Sequence, residues 1–227
     1  MVAQSHRAEP AQPVKILVVD DHPMTRYGIA RLLEQEPGLL VCGEAENAQR
    51  AVAAVKTLKP HLVLADLTMP CGEGLELIKD LRTLYPEVAV LVVSMHDETF
   101  YAERALRAGA SGYIMKNEGG EKLVQAIRQV LRGKTYVSEN ISAAALQVLS
   151  GHGRSEDPVA SKLTDREFEV FRLIGQGMTT GEIGQRLKLG AKTVETHRRH
   201  VREKLGLKTG PALIKYAVRW AATHEVM

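Results

Sequence analysis

The sequence contains few cysteines, few aromatic residues and no long apolar run. Its two cysteines, Cys42 and Cys71, are too few for a disulfide framework and lack the spacing of a zinc site. No stretch approaches the roughly 18 apolar residues of a membrane-spanning helix, and the start of the chain lacks the apolar segment of a signal peptide. We therefore expect a soluble, cytoplasmic protein with reduced thiols and no membrane partner.

A large excess of charge of one sign is also absent. The net charge is +3 over 227 residues, and the 44% apolar and 25% charged residues are typical of globular domains. The charge is unevenly shared, because residues 1–134 carry 16 Lys and Arg against 17 Asp and Glu, whereas residues 135–227 carry 14 against 10. This asymmetry predicts that the second part of the chain binds a polyanion.

Five short apolar runs alternate with stretches of helical period in the first part of the chain. The runs are Val14–Val19, Leu39–Cys42, Leu62–Ala65, Val88–Val93 and Gly112–Met115. Near-continuous apolar strands separated by helices are typical of a parallel sheet covered on both faces. Because crossovers between parallel strands are right-handed, the pattern predicts a doubly wound α/β domain.

The composition divides the chain into four segments. Residues 1–13 form a polar tail that we expect to be disordered, and residues 14–133 form the α/β domain. Residues 134–161 are punctuated by Gly and Ser and are predicted to be a linker with one short helix at Ile141–Leu149. Residues 162–227 form a small all-α domain of four helices, with capping boxes at Thr164–Glu167 and Thr179–Glu182. Its second and third helices are predicted to form a helix-turn-helix.

Polar side chains follow four of the five predicted strands. Asp20 and Asp21 follow the first strand, Asp66 the third, Ser94 the fourth and Lys116 the fifth. Any one of them could be a solvated turn residue, but the carboxyl ends of parallel strands form the usual ligand site of such a sheet. Clustered carboxylates need a compensating cation and suit Mg²⁺. A carboxylate beside Mg²⁺ can accept a phosphoryl group, which a hydroxyl and an ammonium group would stabilise.

At these positions the sequence resembles a two-component receiver domain. The resemblance is carried by Asp20-Asp21, Asp66 with Met69-Pro70, Ser94, the run Ala108-Gly109-Ala110-Ser111-Gly112-Tyr113, and Lys116. It implies a five-stranded sheet of order 2-1-3-4-5 and makes Asp66 the phospho-acceptor. It also implies that Asp21, Asp66 and the backbone carbonyl of Thr68 bind Mg²⁺, with Asp20 assisting through water.

The resemblance further assigns the residues that respond to the phosphoryl group. Ser94 and Lys116 would bind it, and Tyr113 would be a switch residue that turns inward when Ser94 follows the phosphate. The phosphoryl donor implied by the family is a sensor histidine kinase.

The region from Arg186 to Lys204, which includes most of the third helix of the second domain, is basic, with seven Lys and Arg against two Glu. The helical period of 3.6 residues places Val194, Val201 and Leu205 on one face of this helix, which we expect to be buried. An exposed charged face is usually only a solvated one, but the second helix of a helix-turn-helix enters a DNA major groove.

The helical domain resembles the LuxR-type output domain, and together with the receiver it resembles the NarL/FixJ class of response regulators. The motifs are Leu163-Thr164-Asp165-Arg166-Glu167, Gly177, Glu182-Ile183, Leu187, Lys192-Thr193-Val194-Glu195-Thr196-His197 and Lys204-Leu205. The resemblance implies contacts of Glu195, Thr196 and Arg199 with base edges. It also implies phosphate contacts by a second group, Lys192, Thr193, Arg198, Arg202 and Lys204.

The last helix carries Leu213, Ala217 and Trp220 on one face. These residues could complete the core, or part of the face could pair two output domains across a two-fold axis. We expect Leu213 to pack inward and the Ala217–Trp220 end to contribute to a homodimer.

The resulting hypothesis is a response regulator whose phosphorylation at Asp66 controls dimerisation and sequence-specific binding to double-stranded DNA. An aspartyl-phosphate hydrolase is disfavoured, because such enzymes need a second acid two residues after the nucleophile and Thr68 cannot serve; we expect no enzymatic activity. The remaining alternative is a regulator that binds DNA independently of phosphorylation, with a degenerate or differently used receiver.

Overall fold

A computed structural model of the chain describes residues 13–67, 69, 73–95, 98–138, 159 and 162–224. The first domain alternates strands and helices along the chain: β1 (Val14–Val19), α1 (Pro23–Glu34), β2 (Leu39–Ala45), α2 (Ala48–Leu58), β3 (Leu62–Ala65), α3 (Glu73–Leu84), β4 (Ala89–Ser94), α4 (Glu98–Ala108), β5 (Gly112–Met115) and α5 (Gly120–Leu131). The predicted strands are confirmed, except that β2 continues to Ala45 and β4 runs from Ala89 to Ser94.

The five strands form one parallel sheet in the order β2-β1-β3-β4-β5, as the resemblance implied. Successive side chains of a strand point to opposite faces, so Ile16 and Val18 join α1 and α5, whereas Leu17 and Val19 join α2, α3 and α4. Ala65 pairs with Val19 on one side and with Val92 on the other. This register aligns the carboxyl ends of β1, β3 and β4, which positions the residues that follow them.

The second domain consists of α6 (Asp165–Gly175), α7 (Thr180–Leu187), α8 (Ala191–Leu205) and α9 (Gly210–His224). Both predicted capping boxes are confirmed, with Thr164 accepting a hydrogen bond from the Glu167 amide and Thr179 from the Glu182 amide. Phe168 and Phe171 of α6 pack edge-on against Trp220, with ring centroids 5.6 and 5.5 Å apart. The aromatic cluster joins α6 to α9 and supports the helix-turn-helix of α7 and α8.

The last helix has two apolar faces, and one sequence-based expectation about it is wrong. Leu213, Ala217 and Trp220 are all buried within the domain, so the side chains of Ala217 and Trp220 are not available for a dimer contact. The large apolar residues of α9 that are exposed are instead Ile214 and Val218, at 43% and 45% exposure. They lie four residues apart and therefore share a face of the helix.

Several expectations fall partly or wholly on residues outside the described ranges. These are the tail at residues 1–12, most of the linker with its short helix at Ile141–Leu149, and Thr68. The proposed domain boundaries therefore remain predictions. None of the helices in the described part of the chain is both long and apolar enough to cross a membrane.

Candidate functional site

Four predicted site residues meet at the carboxyl edge of the sheet. Asp20 directly follows β1, Asp66 follows β3, Ser94 ends β4 and Lys116 follows β5. The backbone supports this arrangement, because the Asp66 amide donates to the Val19 carbonyl at 2.8 Å. Asp20, Asp66 and Ser94 are almost completely buried. The sequence prediction that these strand ends converge is confirmed.

Lys116 is the cation that connects the two buried carboxylates. Its Nζ lies 2.6 Å from Asp20 Oδ2 and 2.8 Å from Asp66 Oδ2. Burial alone would lower the pKa of Lys116, but attraction to Asp66 and hydrogen bonds to both carboxylates raise it above its ordinary value. Lys116 is therefore charged at neutral pH and offsets much of the carboxylate repulsion.

Asp21 adds a third carboxylate, and His22 adds an imidazole that sequence reasoning missed. Ligand atoms of Asp20, Asp21, His22 and Asp66 all lie within 4.8 Å of one another. Asp21 Oδ1 is buried and receives no well-aligned hydrogen bond from any described residue, although His22 Nδ1 lies 2.7 Å away. Buried carboxylate oxygens that can still accept a hydrogen bond are also free to act as the oxygen ligands of a hard divalent cation. The acidic pocket therefore fits a hard divalent cation such as Mg²⁺.

Tyr113 is fully buried beneath α4 and is hydrogen-bonded to Ser94. Its burial raises the pKa of the phenol well above its ordinary value, so the hydroxyl is protonated at physiological pH. The side chain therefore points inward in the structure in which Lys116 is bound to Asp66, and its predicted role as a switch stays a prediction. His22 could have been found from its position directly after the two aspartates. The inward position of Tyr113, in contrast, depends on packing that the periodicity of the sequence does not reveal.

The basic helix α8 presents most of the predicted DNA contacts to solvent. Val194 and Val201 are buried as predicted, and Leu205 is partly buried. All the predicted contact residues are exposed or partly exposed: Lys192, Thr193, Glu195, Thr196, Arg198, Arg199, Arg202 and Lys204. Gly190 precedes the helix without a side-chain cap, in agreement with the sequence.

Three of the predicted contact residues are engaged within the domain. Lys204 Nζ donates to the buried carboxylate of Glu167 at 2.6 Å, which places the end of this side chain against α6. Glu195 accepts a hydrogen bond from the Thr180 hydroxyl at 2.6 Å and lies 3.6 Å from Arg198 Nε. These contacts join α8 to α6 and α7 and fix the angle at which the exposed face of α8 is presented.

Comparisons with known proteins agree with both parts of this site. The family model for the response regulator receiver domain matches residues 16–128, and that for the luxR family of bacterial regulatory proteins matches residues 161–217. The oxygen regulatory protein NreC of Staphylococcus aureus (strain bovine RF122 / ET3-1) is 35% identical over 211 residues, covering 91% of this chain and 97% of that protein. NreC of Staphylococcus haemolyticus (strain JCSC1435) is 34% identical with the same coverage.

Solved structures of RcsB are similar over nearly the full chain. RcsB from Salmonella enterica serovar Typhimurium, bound to promoter rprA in the presence of the phosphomimetic BeF3-, is 27% identical with a TM-score of 0.63. The match covers 91% of this chain and 99% of that one. Because these relatives match both domains in the same order, the chain belongs to the response regulators that join a receiver domain to a LuxR-type output domain, the NarL/FixJ class.

Proposed function

We propose that Asp66 is the residue phosphorylated by a cognate sensor histidine kinase, and that this event controls dimerisation and DNA binding. The observation that carries the proposal is the buried Asp66 carboxylate, 2.8 Å from the ammonium group of Lys116 and beside two further acidic side chains. The names of the relatives also support a regulator rather than an enzyme. A cytoplasmic location, where kinase and DNA are both accessible, belongs to this proposal.

The chemistry requires a nucleophilic oxygen and compensation of negative charge. An oxygen of Asp66 forms the new bond to phosphorus while the bond from phosphorus to the histidine nitrogen of the kinase breaks, and the imidazole leaves with the electron pair. Asp20, Asp21, Asp66 and the Thr68 carbonyl would hold Mg²⁺, which supplies electrostatic stabilisation of the phosphoryl oxygens when bound. Lys116 already lies at the acceptor oxygen and can transfer its hydrogen bond to the phosphoryl group.

Phosphorylation would be communicated through Ser94. Ser94 is the last residue of β4, and its hydroxyl is hydrogen-bonded to Tyr113. A phosphoryl group on Asp66 would compete with Tyr113 for this hydroxyl. A change in this hydrogen bond alters the packing beneath α4, which begins four residues later at Glu98. The response to phosphate therefore involves repacking around the buried Tyr113 side chain.

For DNA binding we propose α8 as the groove-reading helix. Glu195, Thr196 and Arg199 are the proposed base-edge contacts, and their exposed or partly exposed positions on one helix support this assignment. The proposed phosphate contacts are Lys192, Thr193, Arg198, Arg202 and Lys204. Lys204 and Arg198 would have to exchange partners within the domain for DNA phosphates.

The proposed homodimer would use the exposed face of α9. Ile214 and Val218 are large apolar residues that the domain does not cover, and a two-fold pairing would bury both residues of each copy against the other. Such a pair would place two α8 helices for a DNA site of matching symmetry. This face replaces the Ala217–Trp220 end as the proposed contact.

The assignment of Asp66 can be tested by phosphorylation with acetyl phosphate in the presence of Mg²⁺. Intact-mass spectrometry is expected to show the addition of one phosphoryl group to the wild-type chain and none to Asp66→Asn. Asp80→Asn, which changes an exposed acid on α3, is the matched control and should be modified like the wild type. Equal modification of Asp66→Asn would contradict the assignment, and absence of modification in the wild type would favour the phosphorylation-independent regulator.

A further inference from the structure

The receiver and output domains contact each other through α4 and the beginning of α6. Arg104 of α4 is 9% exposed, and its guanidinium donates to Asp165 Oδ1 at 2.8 Å and to the Leu163 carbonyl at 3.1 Å. The same guanidinium lies over the Phe168 ring, 4.4 Å from the ring centroid. One receiver side chain thus binds a carboxylate, a carbonyl and an aromatic face of the output domain.

Two further residues complete this interdomain contact. Lys79 of α3 donates to the second carboxylate oxygen of Asp165 at 2.8 Å, and this hydrogen bond raises the pKa of Lys79. Tyr101 of α4 packs edge-on against Phe168, with the ring centroids 5.4 Å apart. Because Asp165 accepts from a cation on each of two receiver helices, its carboxylate sets the orientation of α6 on the receiver.

The interdomain contact is made by the helix that follows the phosphorylation pocket. Tyr101 and Arg104 lie on the first turns of α4, which starts four residues beyond Ser94. Tyr101 is also close enough to Tyr113 to influence it electrostatically. Any movement of α4 in response to Ser94 would displace the side chains that hold the output domain.

The groove-reading face lies outside the interdomain contact. Lys192, Thr193, Glu195 and Arg199 of α8 remain exposed while Arg104 is bound to Asp165. The receiver residues named above contact the beginning of α6 and the segment before it. The arrangement in which Arg104 binds Asp165 therefore leaves the face of α8 that would enter a major groove exposed to solvent.

We propose that the Arg104–Asp165 contact controls the orientation of the output domain, and not the access of DNA to α8. The inference rests on the proposed function of α8. Two half-sites of DNA mirror the two-fold symmetry of the dimer that binds them. An output domain that is held in one orientation on its receiver cannot easily align with a second output domain on such a site. Opening the contact frees each output domain to align with a second copy, whereas binding of one domain to one half-site is unchanged.

The test uses the full chain with Arg104→Ala or Asp165→Asn, measured without any phosphoryl donor. Small-angle X-ray scattering should show a larger radius of gyration for both variants, because removing one partner of a partly buried, hydrogen-bonded charge pair weakens the contact. Arg128→Ala is the control, since Arg128 lies on the receiver helix α5 and pairs with Glu36 of the receiver. It should scatter like the wild type.

The same proteins are then titrated with fluorescent DNA carrying one half-site or two, derived from a site selected from random sequences. We expect half-site affinity to stay within about twofold of the wild type and two-half-site affinity to rise about tenfold, the equivalent of 1.4 kcal/mol. A half-site affinity raised about tenfold would mean that the receiver covers α8, and would overturn the proposal. Scattering unchanged in both variants would overturn it as well. A failure of Asp66 phosphorylation would affect neither measurement, so the two proposals can fail separately.

Discussion

Replacing Lys116 with Met is expected to lower the free energy of unfolding by about 3 kcal/mol in the absence of divalent cations. The substitution leaves the buried carboxylates of Asp20 and Asp66 without the ammonium group that lies 2.6 and 2.8 Å from them. Because the folded state raises the pKa of Lys116, its stabilisation is complete below the ordinary lysine pKa and is lost only as the pH rises through the folded value. Denaturant unfolding at neutral pH therefore measures the whole effect.

Addition of Mg²⁺ should recover part of this loss, since a cation that binds only the folded pocket stabilises it. Lys122→Met is the control: Lys122 forms an exposed ion pair with Glu118, so its removal should leave the unfolding midpoint unchanged. A Lys116→Met protein as stable as the wild type in EDTA would mean that the pocket does not depend on this cation.

Replacing Arg199 with Ala is expected to weaken binding to a specific DNA site by about tenfold to a hundredfold, as the loss of a bidentate contact with guanine does. Arg199 is exposed on α8. Its ion pair with the exposed Glu203 is long, with 3.9 Å between Arg199 Nε and Glu203 Oε1, so the guanidinium can exchange Glu203 for a base edge. Anisotropy titrations with the specific site and with unrelated DNA of equal length would measure the effect, which should be confined to the specific site.

Lys192→Ala provides the comparison. Removing a lysine that contacts phosphate weakens binding to all sequences alike and reduces the slope of log affinity against log salt concentration by about one. Arg199→Ala would contradict the assignment if it weakened both DNAs equally. In that case Arg199 would be a phosphate contact, and base reading would have to come from another side chain of α8.

The sequence was sufficient to predict the sheet and its functional edge, because both depend on local pattern. An apolar run such as Leu62–Ala65 must be buried, and the polar Asp66 that follows it must lie at the strand end. The two capping boxes are likewise local, since Thr164 and Thr179 bond residues only three positions away. The position of the acidic pocket therefore follows from the order of residues along the chain.

Contacts that depend on the packing of distant segments could not be predicted in this way. The helix α9 carries two apolar pairs, and periodicity cannot tell that Ala217 is buried while Ile214 is exposed. Lys204 reaches Glu167 across 37 positions of sequence. Arg104 and Asp165 belong to different domains, and neither residue stands out among the other charged residues of its helix.

The central claim is that the state of Asp66 controls DNA binding by α8. The most direct measurement is an anisotropy titration of a two-half-site DNA in Mg²⁺, with and without beryllofluoride, using the wild type and Asp66→Asn. Beryllofluoride, a mimic of the phosphoryl group, is expected to tighten binding by the wild type and to have no effect on Asp66→Asn. Equal binding by both proteins in both conditions would show that the receiver does not control DNA binding through Asp66.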